Sequence, residues 1–148
     1  MKPHTRLLRT SLLLPFVLLL AACSDDDDPM GSTAGVAGDY STTTFTLREG
    51  TNPVVNMLAR GGSIEVTLTA TGGVTGQMII PDTPEFGDAF TTNLVGTFTV
   101  TGSTLRFTQS ADTFIRDFIW TIEGQTLTSS GDAGGGILAE VTLTRQGT

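Results

Sequence analysis

With 148 residues, the chain is long enough for one core and too short for two. Fifteen acidic side chains face eight basic ones, three of them in the first ten residues and the other five scattered arginines. No basic stripe exists to meet phosphates, so nucleic-acid binding is excluded. The one cysteine, Cys23, rules out an internal disulfide, so packing must hold the fold.

Residues 1–10 are basic and residues 11–22 almost wholly apolar. Twelve apolar residues cannot cross a bilayer as a helix, which takes about 20. The pattern is that of an export leader. It ends on Leu20-Ala21-Ala22-Cys23, which resembles the lipobox of bacterial lipoproteins. That resemblance implies a signal peptide over 1–22, cut before Cys23. It also implies acylation of Cys23, palmitate among the chains, and membrane attachment through the mature N-terminus. Several acyl chains hold a protein stably where one is marginal. Ser24, in place of an aspartate, implies the outer membrane. The four aspartates at 25–28 suit either surface display or a spacer that repels itself.

The mature chain has 126 residues, with five arginines against fifteen acids, a balance of −10. Such a body is not drawn to anionic lipid. Residues 23–36 are acidic, then small and polar, and read as a flexible linker.

From residue 37 onward period-two alternation dominates. Ile64, Val66, Leu68 and Ala70 share one face, opposite Glu65, Thr67, Thr69 and Thr71. Outer threonines suit a pleated surface facing water. The expected strands are 37–48, 63–71, 74–81, 93–101, 104–109, 114–123, 126–130 and 137–145. Thr101-Gly102-Ser103-Thr104 and Glu123-Gly124-Gln125-Thr126 mark two matching hairpins, and Thr71-Gly72-Gly73-Val74 a third turn.

Eight antiparallel strands in sequence close into an up-and-down β-barrel, which removes exposed edges. A two-sheet sandwich has the same periodicity. Connections 72–73, 102–103 and 124–125 are short; 49–62, 82–92, 110–113 and 131–136 are longer. A meander puts the short ones at one tight end and the long ones at a mouth. That arrangement fails if 54–59 forms a ninth strand. Val54, Val55, Met57 and Leu58 are apolar for a loop, and either fold over the mouth or form an extra short strand.

Gly38-Asp39-Tyr40 opens the first strand much like the Gly-x-Trp motif of lipocalins, with tyrosine for tryptophan. Arg145 ends the last strand, where lipocalins place an arginine across that ring. Residues 37–146 resemble the lipocalin-like domains of bacterial lipoproteins, although the middle Thr-Asp-Tyr type of motif is absent. The resemblance implies barrel-closing roles for Gly38, Tyr40 and Arg145, with a cation–π contact of about 0.5–2 kcal/mol. It also makes 49–62 the loop that lids the mouth.

Without the leader, the chain has no histidine, no lysine and no thiol beyond Cys23. Catalytic triads, Cys-His pairs, histidine metal sites and Schiff-base lysines are excluded together. A carboxylate pair remains, from Asp82, Glu85, Asp88, Asp112 and Asp132, but no spacing selects one. Asp82, Glu85 and Asp88 offer oxygen ligands on one loop without an EF-hand pattern. Gly131-Asp132-Ala133-Gly134-Gly135-Gly136 has no helix after it to cradle a phosphate. No enzyme activity, catalytic residue, metal or cofactor is expected.

Phe98, Phe107, Phe118 and Trp120 face inward or nearly so, as a packed core or as the site of a small apolar ligand. Ile115 and Ile119 face outward, and Phe86, Phe90 and Phe114 stand near the mouth. The expectation is a non-enzymatic, lipid-anchored envelope barrel that binds a small apolar molecule. The alternative is a filled barrel serving as a structural or protein-interaction module, or as an inhibitor of an envelope enzyme. Oligomeric state is left open.

Overall fold

The computed structural model describes residues 31–147; the expected signal peptide, the lipobox and Cys23 lie outside the described residues. The strands are β1 (Gly38–Glu49), β2 (Val55–Asn56), β3 (Ser63–Leu68), β4 (Gly73–Ile80), β5 (Phe90–Asn93), β6 (Gly96–Thr101), β7 (Thr104–Gln109), β8 (Ile119–Glu123), β9 (Thr126–Asp132) and β10 (Ile137–Arg145). One helical turn, α1 (Phe114–Asp117), precedes β8.

Eight strands form the wall in the order β1-β3-β4-β6-β7-β8-β9-β10, and β10 returns to β1. That seam runs from Tyr40↔Arg145 to Glu49↔Ile137, all antiparallel. The sheet is therefore a closed barrel and not a sandwich. Gly102 and Gly124 hold φ of +59° and +60° at the first central position of two-residue turns, as a type II′ hairpin requires. The long connections lie at the opposite end.

Of residues 54–59 only Val55–Asn56 form a strand, followed by a 3-10 turn over Leu58–Arg60, and neither opens the barrel. β3 pairs with β1 only from Gly38↔Leu68 to Ser41↔Glu65. There the Thr42 hydroxyl accepts the Ile64 N–H at 2.5 Å and donates to the Ile64 carbonyl at 2.6 Å. Beyond that point β2 takes over the vacated edge, through Thr46↔Asn56 and Leu47↔Val55. Both β2 and β3 run antiparallel to β1, so β2 adds no reversal and the chain ends stay together. A bulge between Thr42 and Thr44 shifts the inward parity of β1 from Tyr40 to Phe45 and Leu47.

The strand expected over 114–123 begins only at Ile119. Phe114 and Ile115 are adjacent and both buried, which a strand cannot arrange when one face meets water. A helical turn can, and it also brings Phe114 and Phe118 together, with ring centroids 5.2 Å apart. Ile115, expected to face outward, is therefore fully buried, while Ile119 is half exposed.

The strand expected at 93–101 starts earlier and divides into β5 and β6. One register nonetheless runs through both, from Ile80↔Phe90 to Gly73↔Thr97. A Cβ on Gly76 would overlap the Glu65 carbonyl, and one on Gly96 the Thr108 carbonyl. These glycines let the wall bend sharply.

Residues 31–36, expected as the end of the linker, pack on the tight end. Thr33 Oγ1 donates to the Ala70 carbonyl at 3.0 Å, and Val36 is buried in the core.

Candidate functional site

The inward faces of all wall strands supply one core. Phe98, Phe107, Phe118 and Trp120, the candidate ligand-binding residues, are all buried in it. Phe107 meets Trp120 edge to face at 5.7 Å, a favourable aromatic geometry. The Trp120 indole N–H donates to the Ile115 carbonyl at 3.2 Å. Phe118 lies against Gly131, where a Cβ would stand 3.0 Å from the ring. The four thus contact neighbouring groups of the chain itself. The larger hollows, of about 500 and 400 Å³, lie on the outer wall, over Glu65, Thr67 and Gln77 and over Ile119, Thr128 and Thr142.

The mouth is filled from its connections. Phe114 reaches Phe45 at 6.2 Å, and Met57, from the segment between β2 and β3, is fully buried. A hollow of about 150 Å³ remains on the rim among Asn52, Pro53, Glu85 and Phe86. Phe86 packs on the core, and Phe90 is 44% exposed.

The candidate carboxylates do not gather. Glu85 is held by Arg60 in a two-pronged pair, at 2.8 and 3.0 Å. Those hydrogen bonds hold its carboxyl below the usual carboxylate range. Asp112 and Asp117 share Arg116, at 2.5 and 3.1 Å, which raises the guanidinium pKa further. Asp132 accepts the Gly134 N–H at 2.8 Å. Among the described residues no three Asp, Glu, His or Cys side chains are placed to share a metal ion.

At the tight end Tyr40 and Arg145 are Cα partners across the closing seam. The Arg145 side chain lies along Gly38, whose missing Cβ would stand 2.5 Å from Nε. Its Nη1 donates to the Gly35 carbonyl at 3.4 Å. The Tyr40 hydroxyl donates to the Val36 carbonyl at 2.9 Å. Burial pushes its pKa up, and the nearby Arg145 charge offsets part of that.

Two features of the mouth escaped the sequence reading. Gln109 is 6% exposed, and neither atom of its amide has a partner among the described residues; nor does the buried Thr113 hydroxyl. The signal was a polar residue at the third inward place of β7, after Leu105 and Phe107. The other is the outer edge of β5, which gives up its second neighbour where β7 ends. The chain matches no family model, no curated protein and no solved structure.

Proposed function

We propose that this protein is a lipid-anchored, non-enzymatic module of the bacterial envelope that binds another protein through its exterior. The observation that carries this reading is the filled interior, with Trp120, Phe45, Met57 and Leu127 all fully buried. A barrel of eight strands is just wide enough for side chains to fill or for one small ligand. Here side chains take that space. Among the described residues the apolar-carrier reading has no comparable observation behind it.

The point of chain entry supports an orientation. Gly31 lies against Gly102 at the tight end. Seven residues, hence eight Cα-to-Cα steps, separate it from Cys23, a reach of at most about 28 Å. Acyl chains on Cys23 would hold the tight end toward the membrane and turn the mouth away from it.

Cys23→Ser should move the protein from the membrane fraction to the soluble fraction; unchanged membrane association refutes the anchor. Native mass spectrometry of protein taken from its own membranes should show the bare acylated mass. A co-purifying lipophile held without covalent attachment refutes the filled module and restores the carrier.

A further inference from the structure

We infer that the free edge of β5 is a docking site for an extended, basic peptide segment that joins the barrel wall as an added strand. This deepens the interaction-module reading by naming the surface and the partner chemistry.

The barrel is closed at its tight end and split at its mouth. β6 pairs with β7 from Thr101↔Thr104 as far as Gly96↔Gln109. Past that point the Ser110 N–H reaches the Val95 carbonyl at 3.5 Å, and the chain turns away toward α1. Among the described residues β5 then pairs with β4 alone.

The free backbone groups follow from the register. Leu94 N–H donates to the Gly76 carbonyl at 2.9 Å. Backbone groups alternate sides along an antiparallel strand. Phe90, Thr92 and Leu94 therefore turn theirs toward β4, while Thr91, Asn93 and Val95 turn theirs toward the missing neighbour. The Val95 carbonyl does meet Ser110. The N–H and C=O groups of Thr91 and Asn93 have no partner among the described residues. All four belong to exposed residues flanked by Phe90 and Val95, which are 44% and 53% exposed.

A row of unpaired backbone groups on an exposed strand is a template for another strand. The unpartnered Gln109 amide and Thr113 hydroxyl belong to the segment that departs there.

Charge selects the occupant. Asp88 stands just before β5, and Asp112 and Asp117 follow β7 with only Arg116 between them. A second copy would bring these acids against their own kind. A basic strand would meet them favourably, and its binding would weaken with salt.

The test is a titration of the purified full chain, followed by amide NMR and hydrogen exchange. The probe is an extended peptide of alternating lysine and valine; its glutamate counterpart is the control. The lysine peptide should shift and protect the Thr91 and Asn93 amides, and the glutamate peptide should bind at least tenfold more weakly. Thr91→Pro removes an outward N–H and no bond to β4, and should weaken binding at least tenfold. Because proline can also disturb β5, the peptide is varied too: methylating alternate backbone nitrogens should abolish binding to the unaltered chain.

No binding at millimolar peptide, equal binding of both peptides, or shifts away from β5 overturns the inference. So does dimerisation in sedimentation that Thr91→Pro abolishes, because the edge would then serve a second copy. A lipophile inside the barrel would refute the module reading and leave these amide shifts unaffected.

Discussion

Gly38→Ala probes the closing seam directly. Gly38 holds φ of +151°, and an added Cβ would stand 2.5 Å from Arg145 Nε and 3.3 Å from Cδ. The backbone part costs about 1–2 kcal/mol, since side-chain-bearing residues avoid this conformation. Displacing the guanidinium from Gly38 and from the Gly35 carbonyl adds about 1 kcal/mol. The variant should therefore lose about 2–3 kcal/mol out of the 5–15 kcal/mol typical of a domain. Trp120 is the only tryptophan and is fully buried, so its fluorescence reports urea unfolding without labels. The decisive measurement is the same substitution in an Arg145→Ala background. There only the backbone part remains, and the coupling should be about 1 kcal/mol. Equal cost in both backgrounds would refute the argument that Arg145 rests on Gly38. Arg145→Ala alone should cost more than Arg60→Ala, whose pair with Glu85 is exposed and screened by solvent.

Tyr40 is the only tyrosine, so tyrosinate absorbance follows this one group. Burial raises its pKa above the ordinary 10.0. The folded chain thus keeps the phenolic proton after the unfolded chain has released it. The stability it contributes is intact below about pH 10 and lost as pH rises through the folded value. Tyr40→Phe should abolish that alkaline loss and cost about 1 kcal/mol at neutral pH through the bond to Val36; an unchanged alkaline profile refutes the assignment. Gln109→Leu removes an amide whose two polar atoms are buried without partners. It should leave urea stability unchanged or raise it by about 1 kcal/mol, and a loss of that size would mean the amide is bonded. Gly96→Ala sets a Cβ into the Thr108 carbonyl, a backbone atom that cannot step aside. It should cost more than about 3 kcal/mol, and retention of near-native stability would refute the tight bend there.

Alternation is legible wherever one face of a strand meets the core and the other meets water. That is why β7 and β10 fall where the pattern puts them, why β3 begins where expected though it ends at Leu68, and why the tight turns at Gly72, Gly102 and Gly124 sort to one end. Three departures share a cause: each depends on a neighbour that is distant in sequence. Thr42-Thr43-Thr44 hides a change of parity, because identical side chains carry no register. The division of β5 from β6 is set by what the chain does after Gln109. The helical turn at Phe114 exists because adjacent apolar residues must both reach a core that the local pattern cannot see. These departures also decide the functional reading. Counted from wall strands alone, an eight-stranded interior has room for a small ligand. Met57, Phe114 and Ile115 come from connections, yet Met57 and Ile115 are fully buried and Phe114 nearly so. A connection that folds inward removes ligand space from the barrel and, by leaving the wall, uncovers the edge of β5. The departure of the chain from β7 thus both carries Phe114 and Ile115 into the interior and opens the rim, which moves the search for function from the inside of the barrel to its outside.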